Sequence, residues 1–296
     1  MLNRRAFLAA STVAGASALM RSALAVADTE AHIVGHRINL AGRESTLIEQ
    51  IAKAASFAHL DVEHDYHLHE MIEDRAKFER VMRGLIHGDP ELGLERETNT
   101  KVLERLRDVM AVWLPFDDAI REPIETGIVD TEHAHMIVDR DIPVLKAMNK
   151  AVDEMQRAYG GKALPLHFAL ELKLASRQRT LTQRVGKECC MIQMHYHETE
   201  ARAEFAETVQ LFENSHRALS LGMPEFGIHP PESAELKEQY AMIGQHWQEM
   251  KAIVAPVMEG ATVDKPTLAR IAHLEDDLLA ECDDAVVMLE DVILAS

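Results

Sequence analysis

Apolar residues recur along this chain at helical spacing. Leu174, Leu181, Val185 and Ile192 follow one another at roughly 3.6-residue periods, and Leu40, Leu47, Ile51 and Ala58 do the same upstream. The positions between them are rich in Ala, Leu, Met, Glu, Arg and Gln, which favour helix. Alternating, strand-like runs are missing from the sequence. The pattern predicts a long first helix over 36–87, stopped by Gly88-Asp89-Pro90, and another over 167–221, stopped by Gly222-Met223-Pro224. Further helices are expected over 95–126, 131–158, 232–259 and 265–294, with Pro115, Pro143 and Pro256 kinking or breaking them. The fold class expected is all-α: two tandem up-and-down helix bundles, four-helix-bundle-like, with short connections.

The tandem arrangement comes from the sequence itself. Shifted by 134 positions, Leu40, Ala41, Arg43, Thr46, Leu47 and Lys53 fall on Leu174, Ala175, Arg177, Thr180, Leu181 and Lys187. Gly88, Pro90, Glu91 and Gly93 fall on Gly222, Pro224, Glu225 and Gly227, and Trp113 falls on Trp247. One ungapped offset holds from end to end, the mark of a repeated unit. The expected copies span 28–160 and 165–296, divided at Gly160-Gly161-Lys162-Ala163-Leu164-Pro165, where Gly and Pro end one helix and release the next.

Residues 1–27 are set apart. Arg4-Arg5-Ala6-Phe7-Leu8 leads into a mild apolar run to Met20, then Arg21 and the small-residue sites Ala23-Leu24-Ala25 and Ala25-Val26-Ala27. This order of charged region, apolar region and cleavage site is that of an export signal, and the Arg pair resembles the twin-arginine type. The expected location is therefore the periplasm. No later segment has the ~18 consecutive apolar residues that span a bilayer.

Charge sharpens the picture. Cleavage would remove Arg4, Arg5 and Arg21, taking Lys+Arg from 31 to 28 against 49 acids and the formal charge from −18 to −21. So acidic a chain does not seek nucleic acid or anionic lipid. Against that background 172–187 is an island, with Lys173, Arg177, Arg179, Arg184 and Lys187 and no acid. On a helical wheel Arg177 and Arg184 flank the apolar stripe, whereas Arg179 lies beside Gln183, near Ser176 and Thr180. A guanidinium among neutral donors suits a small planar oxyanion. The same arginines could instead pair with acids on neighbouring helices.

Ile38-Asn39-Leu40-Ala41-Gly42-Arg43 and Ala175-Ser176-Arg177-Gln178-Arg179-Thr180-Leu181-Thr182-Gln183-Arg184 resemble the first-helix signature of the NarX-like/PilJ-like N-terminal sensor domain. That family serves nitrate/nitrite sensor kinases and type IV pilus chemotaxis transducers. The resemblance implies a periplasmic helical bundle that often forms a homodimer, and, in nitrate-sensing members, an Arg of this motif on the anion. The matching position is Arg179, supported by Gln183, Thr180, Arg184 and Arg177. In the first copy Arg43 persists, but Ser45 and Gln50 stand where Arg179 and Arg184 stand in the second. Any anion site is thus expected in the second copy. Members usually continue into a membrane helix and an output domain. This sequence ends after its second copy, so a membrane-bound signalling partner is expected to receive its state.

A rival site lies downstream. Cys190, Met194 and His197 would share one helical face, with His195 beside them, and soft sulfur with imidazole suits copper. His59, His64, His67 and His69 form another group with zinc-like donors. Cys189 or Cys190 could bridge to Cys282 in an oxidising compartment. No catalytic motif is present: no Gly-rich phosphate loop, no His-Glu-x-x-His, no Cys-x-x-Cys. The expectation is a non-enzymatic sensor or binding protein without a cofactor, the alternatives being the copper or zinc binder and a structural partner of a receptor or pilus system that takes no small ligand.

Overall fold

The computed structural model describes residues 33–160 and 166–295. The expected signal peptide over 1–27 and the linker residues 161–165 lie outside them. The chain folds into α-helices: α1 at 33–59, α2 at His64–His87, α3 at Thr100–Thr126 and α4 at Thr131–Met155. After the break come α5 at Leu166–Gln193, α6 at Glu198–Leu221, α7 at Ala234–Met258 and α8 at Lys265–Ala295. Neighbours run up and down through short turns, α5 packing on α6 and α8, and α3 on α4. Among the described residues no helix is long and apolar enough to cross a membrane.

Local chemistry sets the boundaries. Asn99 caps α3, Asp130 caps α4 and Ser233 caps α7, each side-chain oxygen taking a backbone N–H of the first turn. Gly93 and Gly227 end the 3-10 turns Pro90–Leu92 and Pro224–Phe226 at φ 64 and 75, where a Cβ is strained. Gly222 also lies against Pro230, leaving no room for a side chain.

Two expectations need correcting. The long first helices over 36–87 and 167–221 are each a hairpin. Neither turn contains Gly or Pro. Instead Asp61, Glu63, His195 and His197 adopt positive φ, at 56, 41, 55 and 45. The Val62 and Tyr196 amides reach back to the Phe57 and Met191 carbonyls, closing the helix ends as a Schellman turn does. The second correction concerns proline. Pro115, Pro143 and Pro256 lie inside unbroken helices. Each is exposed, and so is the residue four positions before it (Ala111, Asp139, Ala252), so the freed carbonyl can meet water.

The structural elements recur at the sequence offset. α2 and α6, and the two 3-10 turns, begin and end 134 residues apart. Trp113 stacks on Phe78 with centroids 3.9 Å apart, and Trp247 on Phe212 at 3.8 Å. Each half has its own apolar core, and Phe57, Val62 and Val138 of the first half join the core of the second.

Candidate functional site

The basic island lies on α5, and α5 crosses α1 between the halves. Thr46 and Thr180, one offset apart, meet there with their hydroxyls at 3.2 Å. Contact between equivalent positions is what a two-fold relation between the halves produces. The surrounding layer is polar and mostly buried.

Arg179 is buried, at 1% exposure, and already has an anion. Its Nη1 donates to Asp283 Oδ1 at 2.9 Å and its Nη2 to Asn39 Oδ1 at 2.9 Å. The other Asp283 oxygen accepts from Arg43 Nη2 at 2.7 Å. One carboxylate from α8 is thus clamped between guanidinium groups of α1 and α5. Burial presses the Arg179 pKa down, and Asp283 works against that. In the first half the corresponding contact is neutral: Ser45 Oγ donates to Asn149 Oδ1 at 3.2 Å.

Arg184 and Lys187 also meet acids. Both hold Glu49 of α1, at 2.8 and 2.7 Å, and Lys187 also holds Asp141 of α4. Burial works against the Glu49 carboxylate, but Arg184 and Lys187 outweigh it and keep its pKa low. Asp141 shares Lys187 with Glu49, and burial pushes it up to about 7. Burial likewise lifts Glu188 to about 8, with Lys187 and Arg184 offsetting only part. The related Lys53 binds Glu70 at 2.9 Å and Asp276 at 3.0 Å. Gln183 donates to the Glu275 carbonyl at 3.2 Å. The island is therefore largely neutralised by acids from other helices. Asp283, Glu49 and Asp141 were not singled out in the sequence. The signal for Asp283 was its pairing at the offset with Asn149, alongside Arg179 with Ser45.

Beside this layer a cavity of about 490 Å³ opens between α1, α4, α5 and α6. Four of the expected site residues line it: Ser45, Arg177, Thr180 and Arg184. Arg179, Gln183 and Arg43 do not. Arg177 stands exposed in its wall, and among the described residues its guanidinium has no hydrogen bond or ion pair. Desolvation and the like charge of Arg184 lower its pKa, while Glu207 acts the other way. Ser176 adds a hydroxyl to the same wall. The arrangement offers a charged fork and hydroxyls to a small anion, beside Asp153, Glu188, Glu204 and Glu207 in the same lining.

The soft-metal face does not form. α5 ends at Gln193, so Met194, His195 and His197 leave the helix that carries Cys190. Cys190 is buried, and His197 is exposed near Asp139. His195 pairs with Glu198 at 2.9 Å. In the first half His59 contacts the Val129 carbonyl, and buried His67 contacts Glu70 and stacks on Phe57. Among the described residues no group of three or more His, Cys, Asp or Glu is placed to hold a metal. The three cysteines are free and buried, and burial pushes their thiols up, so they stay protonated.

Residues 169–273 match the family of the type IV pili methyl-accepting chemotaxis transducer N-terminal domain (PilJ). The match begins within α5 and ends within α8, so it covers the basic island and the α5 wall of the cavity. Comparison with curated proteins found no match.

Proposed function

We infer that this chain is a non-enzymatic sensory module made of two related helical units, exported to the periplasm, whose ligand is a small oxyanion such as nitrate or nitrite. The ligand would enter the cavity between α1, α4, α5 and α6. Arg177 would be its main contact, with Thr180 and Ser176 as neutral donors and Arg184 lending positive potential while bound to Glu49. A membrane partner would receive the change of state.

The observation that carries this reading is Arg177, a guanidinium without an acid partner, in the wall of an open cavity within a segment similar to transducer input domains. Arg179 carries it less well, because Asp283 already fills the place an anion would take. Nitrate has four heavy atoms, and at about −1.5 kcal/mol per atom the best affinity is a Kd on the order of tens of micromolar.

Calorimetric titration with nitrate and nitrite, up to millimolar, tests the proposal. Saturable heat should appear with the wild type and weaken at least about tenfold in Arg177→Ala, with unchanged circular dichroism. Absence of heat with both anions, or undiminished binding in Arg177→Ala, would overturn it.

A further inference from the structure

The cavity between α1, α4, α5 and α6 has a volume of about 490 Å³. That lies within the range that holds small organic molecules, well beyond the needs of a four-atom ion. Its walls carry charges of both signs, and several are already satisfied. Arg184 and Lys187 hold Glu49, Lys173 holds Asp153 at 2.6 Å, and burial keeps Glu188 protonated up to about pH 8. Four lining residues stand apart: Arg177 of α5, Lys146 of α4, and Glu204 and Glu207 of α6. Among the described residues their charged groups have no ion pair or hydrogen bond.

The first half shows how the equivalent charges are neutralised. There Glu70, equivalent to Glu204, is held by Lys53 at 2.9 Å and His67 at 3.0 Å. Glu73, equivalent to Glu207, is held by His69 at 3.1 Å and Lys77 at 3.4 Å. Arg43, equivalent to Arg177, is held by Asp283 at 2.7 Å. At the offset of 134 none of these partners serves the second half. His67, His69 and Lys77 become Ala201, Ala203 and Leu211, and Asp283 is matched by Asn149. Lys53 becomes Lys187, which turns to Glu49 and Asp141 instead. The arginine and both acids are kept, while every group that would satisfy them within the protein is lost or redirected. Arg177 and Glu207 are near enough to feel each other's charge, yet they do not meet as an ion pair. A gap between unpaired opposite charges on neighbouring walls suits a ligand that carries both.

We propose that the ligand of this cavity is a zwitterion of the amino-carboxylate class, with its carboxylate on Arg177 and its ammonium on Glu204 and Glu207. The inference rests on Arg177 as the anion contact and adds the cation that the α6 acids select. A carboxylate is a planar oxyanion, as nitrate is, and fits the same guanidinium fork. A bare anion there is repelled by both acids. An ammonium group on the same molecule turns that repulsion into attraction.

Calorimetric titrations at fixed ionic strength compare compounds that differ by one ammonium group: alanine and β-alanine against propionate, and γ-aminobutyrate against butyrate. At least one amino acid should bind about fivefold or more tighter than its plain acid. That preference should vanish in Glu204→Gln/Glu207→Gln, whose substitutions lie at exposed positions of α6. Nitrate, titrated into the same two proteins, should bind the double variant at least as well as the wild type. Equal binding of each amino acid and its plain acid, or a preference that survives in the double variant, would overturn the proposal. If nitrate still binds in that case, the oxyanion reading stands without the zwitterion. Binding of an amino acid but not of nitrate would support the zwitterion and remove nitrate. Silence from every compound would overturn both.

Discussion

Asp283 does at one position what an anionic ligand would do. Its two oxygens are held by Arg43 and Arg179, and charge-assisted bonds of this kind are among the stronger contacts a protein makes. Because the carboxylate is tethered to α8, it outcompetes a free anion by effective concentration. Asp283→Asn should therefore create a site. The amide carries no charge, and Arg179 stays buried with its cation uncompensated. With Arg177→Ala in the background to silence the cavity, nitrate at 10 mM should raise the thermal midpoint of Asp283→Asn/Arg177→Ala by several degrees relative to a salt-matched control, and leave that of Arg177→Ala alone nearly unchanged. A variant indifferent to nitrate would contradict the clamp. The sequence made the arginines visible because they stand in an acid-free run. Their partners were hidden because Asp283, Glu49 and Asp141 lie 104, 135 and 46 residues away from the cations they hold. Helical periodicity reports which face a residue occupies and says nothing of which distant helix meets it.

At the scale of elements, the α1–α5 crossing works by matched differences between related positions. Glu275 of α8 reaches over Gly186 of α5, and any Cβ there would collide with its carboxylate. One offset earlier, the shorter Asp141 of α4 corresponds to Glu275, and Ala52 of α1 corresponds to Gly186. Gly186→Ala should thus destabilise the protein by about 1–3 kcal/mol through overpacking, although alanine ordinarily favours a helix. Urea unfolding of Gly186→Ala and of Gly186→Ala/Glu275→Asp checks this: the shorter acid should recover most of the loss. A single variant as stable as the wild type would contradict the fit. Helix identity and most helix ends were legible, because the Gly-x-Pro turns carry their own local chemistry, but the expected start at 95 passed over the Asn99 cap, and α3 begins at Thr100. The α1–α2 and α5–α6 turns were not. Asp61, Glu63, His195 and His197 take left-handed backbone without glycine, supported by the Schellman closure and the buried Val62. The embedded prolines misled for the converse reason, since a breaker on an exposed helix face costs less than its residue type suggests.

Across the whole molecule, the polar layer between the halves holds protons. Burial lifts Asp74 to about 6, Asp141 to about 7 and Glu188 to about 8, and pushes Glu44 and Glu275 well up. These groups release their protons more readily when the chain unfolds, so the folded state binds more protons than the unfolded state over that interval. Stability should fall as pH rises from about 4 through about 8. Glu70 acts in the opposite sense. Burial disfavours its charge, but Lys53 and His67 hold its pKa down at about 2, so its contribution is lost only as pH falls below about 4. The thermal midpoint should be lower at pH 8.5 than at pH 5 by about 5 °C or more. Glu188→Gln, which keeps an oxygen for Thr208 and removes the charge, should flatten part of that slope. A midpoint that rises with pH would contradict the assignment.

The most direct test of the account is to watch the arginine Nε–H signals of 15N-labelled protein during a nitrate titration, with Arg177→Lys and Arg179→Lys used for assignment. The account predicts that the Arg177 signal moves saturably, while the Arg179 signal, held by Asp283 and Asn39, stays in place. Movement of Arg179 with Arg177 still would put the anion at the clamp instead of the cavity, and no movement of either would remove the oxyanion from the account.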